Sequence, residues 1–443
     1  MKMKEGNIML KTNVEGSNKL LILGSDYGTI DLVKAAHARG LYVIATDLMD
    51  TSPTKEEADE AWMVSTTDID LLEQKCREEN IGAVLTGASD FNIARSRELC
   101  RRLGFPVYCE SDKAWDVATN KRHFKDICKQ VGAPIATDYR LTDELSDEEL
   151  ENIKFPVVVK PVDLSGNRGM SYCANKEELR AAWKKAREAS KNSTIIVERM
   201  LHGPEYAVNY VMADGEIRLH FFSAEHHEPG ELSNLYSLID TTSYHLKQYI
   251  EEVNDKVIAV FKEAGCRDGV AWVETMLDDD GHFYLLEMGY RYGGEVVNSA
   301  YRHICGFDSI NWMVEIACGI KHTAEDLPAP LTECYRGVGT AYLFFAQRDD
   351  KIASIEGLDE IAKLPNVYLD IPKREGGTVR YHATMGVIHI AAKDIEELCQ
   401  TIDHINRSLK IKNKDGQDMF IYYTNLDELR DEYYNGLNEF GLK

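Results

Sequence analysis

The stretch FYLLEMGYRYGGE, residues 283–295, begins as a strand and abruptly stops reading as one. Strand-like residues run into Glu287, followed by Arg291 and the pair Gly293-Gly294. A strand that only fills a core has no use for a carboxylate and a guanidinium at its end, since charged groups are rarely buried without partners. Just upstream, GVAWVETML (269–277) reads as a second strand, and DDDG (278–281) between the two is a hairpin signal. The three aspartates lack the alternating ligands and twelfth-position glutamate of a calcium loop, so they are turn residues. A two- or four-residue loop centred on Asp279 and Asp280 sets Glu274 against Leu285 and leaves Glu287 one diagonal step away on the same face. Diagonal neighbours lie about 7–8 Å apart. That separation suits two carboxylates flanking a bound divalent cation, because magnesium takes a few carboxylates plus phosphate oxygens and water. Arg291 then comes within reach of a transferring phosphoryl group.

Working outward, FPVVVKP (155–161) is a short apolar strand with Lys160 at its end. A solvated strand end is the plain explanation. The next stretch, DLSGNRGMSYC (163–173), adds a second one: glycines let backbone N–H groups approach an anion closely, and a nearby ammonium can sit over the same phosphates. This is not the Walker pattern, and an ordinary hairpin loop fits the composition as well. Beyond it, STIIVERMLHGPEYAVNYVMADGEIRLHFF reads as strands and turns carrying Glu198 and Glu205. Those glutamates can receive an adenine edge and ribose hydroxyls, or can simply be turn residues.

The first hundred residues alternate strand and helix: KLLILG, TIDLVKAAHARG, LYVIATD, DIDLLEQKCREENI, GAVLTG, then ARSRELCRRLGFPVY leading into another strand. That alternation predicts a doubly wound parallel sheet. GSDYG after the first strand lacks the third glycine of a dinucleotide fingerprint, although Asp47 ends the second strand. A turn bringing small-molecule contacts to the strand ends is the better reading.

Composition bounds the function. The chain has 443 residues, too many for one ordinary domain, with 44% hydrophobic and 28% charged residues. A formal charge of −23 opposes nucleic-acid binding over most of the surface while leaving room for a small anion held by local cations. No apolar run is long enough to cross a membrane. The N-terminal residues lack a secretion signal, and ten scattered cysteines without a CxxC pair read as reduced thiols, so a cytoplasmic protein is expected.

The ordered set of Lys121, the VVVKP lysine, the glycine-rich loop, VERMLHGPEY and VETML…LLEMGYRYGG resembles the ATP-grasp superfamily, over roughly residues 19 to 400. Bacterial amino-acid ligases, D-alanine–D-alanine ligase, biotin carboxylase and carbamoyl-phosphate synthetase are among its members. The resemblance implies that Lys121 and Lys160 bind phosphates and that Ser165, Gly166, Gly169 and Met170 belong to a mobile loop over them. It implies an adenine-side contact at Glu198 and the Leu201 backbone, a ribose contact at Glu205, metal ligands at Glu274 and Glu287, and a phosphoryl- and acyl-phosphate-stabilising role for Arg291. Many members carry Asn two residues after the second metal glutamate; Gly289 stands there in this chain.

The expected architecture is an ATP-grasp fold of mixed α/β and α+β character. It comprises an N-terminal doubly wound domain (1–110), an ATP-grasp domain (111–325) with its lid near 125–198, and a C-terminal α+β domain (326–443) after Pro328 and Pro330. The expected activity is an ATP-dependent carboxylate–amine (or thiol) ligase that uses ATP with Mg2+ or Mn2+. It would act through an acyl phosphate on amino acids or another small carboxylate, with no nucleic-acid or membrane partner; the resemblance also allows a homodimer. Two alternatives stand beside it: a bicarbonate-dependent carboxylase of the biotin carboxylase type, and a nucleotide-binding module without catalysis. SAEHHEPGELSNLYS (223–237) is the expected source of substrate contacts, with His226 and His227 as substrate ligands, a base, or merely solvated side chains.

Overall fold

The apolar runs near the N-terminus pair as their composition predicts. In the computed structural model, which describes residues 10–25, 28–162, 169–190, 194–228, 237–293, 302, 304–370, 374–381 and 383–442, β1 (Lys19–Leu23), β2 (Tyr42–Thr46), β3 (Glu60–Trp62) and β4 (Ala83–Thr86) form a parallel sheet in the order β3-β2-β1-β4. Leu20 and Ile22 pack into one apolar cluster and Leu21 and Leu23 into another, so the sheet is covered on both faces. Double coverage is why these strands read as unbroken apolar runs. Two details differ from expectation: Glu60–Trp62 adds an edge strand, and GFPVY at 104–108 forms none. Pro106 has no N–H to donate to a ladder there. Asp47 is held by Lys55 Nζ at 2.9 Å and Ser52 Oγ at 2.9 Å, which uses the carboxylate internally.

A second, smaller sheet follows. β5 (Asp138–Tyr139), β6 (Val157–Pro161), β7 (Ser171–Cys173) and β8 (Ile195–Arg199) are antiparallel in the order β5-β8-β6-β7. The helix Lys176–Ala189 lies on it through Leu179, Ala182, Trp183 and Ala186, the i, i+3, i+4, i+7 stripe of an amphipathic helix. Its start is fixed by Asn175, whose side chain accepts from the Glu178 N–H. From β8 the chain turns through Gly203, where a Cβ would stand 1.9 Å from the Leu277 carbonyl oxygen and φ is +147°; glycine alone fits both constraints.

The turn delivers the chain into an eight-stranded sheet. β9 (Glu205–Ala213), β10 (Glu216–His226), β11 (Leu238–Thr241), β12 (Gly269–Leu277), β13 (Phe283–Gly289), β14 (Val338–Phe345), β17 (Val367–Asp370) and β19 (Thr384–Ala392) run in the order β13-β12-β9-β10-β11-β14-β19-β17. Short ribbons pair β15 (Asp350–Lys351) with β18 (Thr378–Val379), and β16 (Ser354–Glu356) with β20 (Lys410–Lys412). β14 joins directly to β11, so the sheet continues across residue 326 while Pro328 and Pro330 lie in irregular backbone. Along β9, Tyr206, Val208 and Tyr210 pack with Leu246, Tyr249, Val257 and Phe261 of the covering helices. Alternation then turns Glu205, Ala207 and Asn209 to the opposite face. The candidate site is built on that face.

Candidate active site

The β12–β13 hairpin departs from its expected register, and the departure makes the site. Asp278 N–H donates to the His282 carbonyl at 3.0 Å and Gly281 N–H to the Asp278 carbonyl at 2.8 Å, so the loop has three residues and ends on Gly281 at φ +82°. A left-handed glycine closing a three-residue loop is a standard hairpin solution. It pairs Thr275 with Leu285, which by itself would put Leu286 beside Glu274 and turn Glu287 to the other face. A bulge between Glu274 and Thr275 shifts the register, so Glu274 pairs directly with Glu287 rather than with Leu285. The two carboxylates are therefore immediate cross-strand neighbours instead of diagonal ones.

Two further carboxylates join them. Glu205 pairs with Glu225 across β9–β10 and with Met276 across β9–β12, and carboxylate oxygens of Glu205, Glu225 and Glu274 all lie within 4.8 Å of one another. Burial, then the charges of Glu287 and Glu205, push the Glu274 carboxyl well above its ordinary range. Burial raises Glu205 as well, against the opposing influence of His227. Glu287 is subject to the same burial, but Lys121, Lys160 and Arg291 outweigh it and hold the carboxyl below its ordinary value. An all-oxygen set with excess negative charge suits a hard divalent cation such as Mg2+ or Mn2+. Glu225 escaped the sequence reading; its signal was a glutamate at the end of one strand opposite a glutamate at the start of its neighbour.

The cations come from the helix Lys121–Val131 and from β6. That helix begins at Asn120, whose side chain accepts from the Arg122 and His123 N–H groups. Lys121 and Lys125 are one helical turn apart on one face. Lys121 forms an ion pair with Glu287, while Lys125 and Lys160 both ion-pair with Glu198. Burial lowers Lys125 from its usual range despite Glu198; for Lys160 the Glu198 charge overcomes burial and the group is raised. Burial opposes ionisation of Glu198, yet Lys125 and Lys160 together bring it down to about 2. The Glu198 carboxylate therefore faces two ammonium groups, with Lys125 fully buried beside it. Leu201 is buried between two used amides, Met200 N–H to the Pro156 carbonyl at 3.1 Å and His202 N–H to Asp278 Oδ1 at 2.8 Å.

Arg291 crosses from the large sheet to the N-terminal unit. Its Nε donates to Asp90 Oδ1 at 2.8 Å, and its guanidinium lies 5.1 Å from the Trp272 ring centre. Trp272 pairs with Gly289, and a Cβ at Gly289 would meet the indole Nε1 and Cε2 at 2.4 Å. The indole thus occupies the room an asparagine side chain would need, which accounts for Gly289 physically. Of the expected phosphate loop, Gly169 stands at φ +77° against Pro161, with Met170 next to it; Ser165 and Gly166 lie outside the described residues, as does Gly294. His226 is buried rather than solvated. It is buried as the last residue of β10, with Nε2 2.7 Å from Asp240 Oδ1 and 3.8 Å from Glu432 Oε2. Burial works against its charge, but Asp240 and Glu432 win and hold it well above the ordinary histidine range.

Residues 153–299 match the family model of the ATP-grasp domain. Over 186 residues the chain is 30% identical to a formate-dependent phosphoribosylglycinamide formyltransferase of Synechococcus sp. (strain RCC307), covering 41% of this chain and 47% of that protein. The chain thus spans about half the length of that relative. Its fold is similar to that of an L-amino acid ligase from Bacillus licheniformis, with TM-score 0.72 at 17% identity over 89% of this chain and 98% of that one. The biotin carboxylase domain dimer of the Hydrogenobacter thermophilus 2-oxoglutarate carboxylase, in complex with MgADP, ADP and bicarbonate, gives TM-score 0.73 at 18% identity over 95% and 97% of the two chains. The fold is ATP-grasp.

Proposed function

We propose that this chain, which carries an ATP-grasp domain over residues 153–299, is an ATP-dependent carboxylate–amine (or thiol) ligase working through an acyl phosphate on an amino acid or another small carboxylate. The observation that carries this reading is the direct pairing of Glu274 with Glu287 beneath Lys121, with Lys160 and Arg291 close enough to lower Glu287 electrostatically. Lys121 and Lys160 would hold the terminal phosphates of ATP between the small sheet and the large one. Glu274 and Glu287, with Glu205 beside them, would hold Mg2+ or Mn2+, which when bound neutralises the phosphate charge. The carboxylate substrate attacks the γ-phosphorus, ADP departs, and a nucleophile then displaces phosphate from the acyl phosphate. Arg291, oriented by Asp90, would stabilise the negative charge at the transferring group. Positioning and charge neutralisation account for the catalysis; no covalent attachment to the protein is needed.

The division into 1–110, 111–325 and 326–443 is proposed on the same footing, with lid movement excluding water. Ten free thiols support a cytoplasmic location, and a homodimer accords with the dimeric neighbour. A carboxylase that uses bicarbonate as the acid is the second reading, favoured by the biotin carboxylase domain that matches 95% of the chain.

Product analysis tests both. The proposed chemistry yields ADP and inorganic phosphate in equal amounts, dependent on an added carboxylate, and hydroxylamine traps the acyl phosphate as a hydroxamate when the natural nucleophile is withheld. A strict requirement for bicarbonate would instead favour the carboxylase. AMP and pyrophosphate as products would reject attack at the γ-phosphorus.

A further inference from the structure

We infer that Lys125 is a positioning residue for nucleotide binding: by engaging one oxygen of Glu198 it keeps that carboxylate from neutralising Lys160, and so leaves Lys160 charge to offer a phosphate. The inference rests on the assignment of ATP phosphates to Lys160 and adds the residue that makes that lysine available.

The arrangement follows from strand register. Glu198 pairs with Val158 across β6 and β8, and Lys160 lies two residues further along β6, so both project from one face of the small sheet. Val157, Val159 and Val197 turn to the other face, into the apolar cluster beneath the helix Lys176–Ala189. Lys125 reaches the first face from the helix Lys121–Val131. It pairs with Glu198 Oε2, while Lys160 pairs with Oε1. Each ammonium group therefore has its own oxygen of the one carboxylate.

An anchoring role leaves this lysine unexplained. The helix is already tied to β5 through Asp138, which receives Arg122 Nη1 at 2.7 Å and Lys129 Nζ at 3.0 Å. Phe124, Ile127 and Cys128 of the same helix pack into the main core. An ammonium group adds a cost to that packing, because Lys125 is wholly buried and burial lowers it from the usual lysine range. An unbranched apolar side chain of similar length would fill the space without the cost.

Charge supplies the reason. Two ammonium groups against one carboxylate leave an excess of one positive charge, and only Lys160 has an opening towards solvent: its side chain is 14% exposed, that of Lys125 0%. Without Lys125, Glu198 and Lys160 would close into a neutral pair. The charges of Glu287 and Glu274 also act on Lys160, so the acidic surroundings would leave it still less for a phosphate. Lys125 offsets both.

The test uses the full chain and reads two ligands by calorimetry, ATP with Mg2+ in the absence of any carboxylate substrate, and adenosine. Lys125→Met should weaken ATP about ten-fold while adenosine stays within about two-fold, the signature of a lost charge beside the phosphates. Its melting temperature should equal or exceed that of the wild type, since a buried charge has been exchanged for an apolar group. Adding Glu198→Gln restores the excess of one positive charge, so ATP affinity in the double variant should return to within about three-fold of the wild type. A lysine that only packs would give no such recovery. Unchanged ATP affinity in Lys125→Met, equal losses for ATP and adenosine, a fall in melting temperature, or no recovery in the double variant would overturn the inference and leave phosphate binding by Lys160 standing. ATP affinity unaffected by Lys160→Ala would overturn the assignment beneath it.

Discussion

Two buried ion clusters in this protein use the same residue types with opposite imbalance. On the small sheet, Lys125 and Lys160 share the single carboxylate of Glu198, leaving a positive excess. On the large sheet, Glu205, Glu225 and Glu274 gather within 4.8 Å, and Lys121 pairs with Glu287 beside them, leaving a negative excess. Buried charges normally persist only when paired. A third cluster shows a different solution: His226 stays charged among Asp240, Glu428 and Glu432, and closes the C-terminal helix onto β10 and β11. Lys160 of the first cluster is close enough to feel the charges of Glu287 and Glu274, and the two excesses have the signs that a polyphosphate and a divalent cation would cancel. In the third cluster burial raises Glu432 to about 7 and so eases the acid excess around His226 internally, whereas the first two keep excesses of opposite sign near each other.

Substitutions can break this contrast. The largest effect is expected from Glu287→Gln, which removes one of the paired carboxylates and frees Lys121. Carboxylate-dependent ADP release should fall by about 10²–10³-fold, with the melting temperature little changed. Turnover at the wild-type rate in ordinary magnesium would remove Glu287 from the proposed metal site.

Glu198→Gln probes the positive cluster through stability instead. Taking the carboxylate from between two buried ammonium groups should cost on the order of 3 kcal/mol by denaturant unfolding. The pH dependence has a definite sign. A carboxyl held near 2 against an ordinary 4.5 stabilises the fold above about pH 4.5, and that contribution is lost as pH falls towards 2. The variant should lack this part of the wild-type acid sensitivity.

Lys160→Ala sharpens the assignment of phosphate to the positive cluster. ATP affinity by calorimetry should fall about ten- to a hundred-fold, the range of one charge-assisted contact, while adenosine affinity barely moves. Equal losses would make Lys160 a structural strand end. The smallest effect belongs to Gly289→Ala, where the new Cβ meets the Trp272 ring at 2.4 Å. Overpacking of this kind should cost about 1–3 kcal/mol, and Trp272→Ala in the same chain should recover most of it.

Much of the architecture was legible in residues 19–23, 42–46 and 83–86, because strands covered on both faces must be apolar throughout. The hairpin at DDDG was legible too, since aspartate and glycine are what a tight turn tolerates. The β3 strand was not: Glu60–Trp62 is three residues of mixed polarity, and pairing alone makes it a strand. Glu198 reads in the sequence as one acidic residue at a strand end, and nothing local announces that Lys125, on a distant helix, lies against it.

Alternation along β12 and β13, with the turn signal between them, determined by itself that Glu274 and Glu287 lie on one hairpin carrying charge at its open end. Which side chains meet was decided only in the tertiary structure. A three-residue loop alone would have turned Glu287 to the opposite face, and the bulge at Glu274 restored it. Local sequence sets the side-chain period of a strand, but register comes from the balance of turn strain, bulge and burial across two chain segments. The same reason explains His226, which sits next to the exposed-looking HHEPGE run yet is sealed beneath the helix Leu426–Glu439, about two hundred residues later in the chain. Burial is a property of what packs against a residue, and that partner is chosen by the fold.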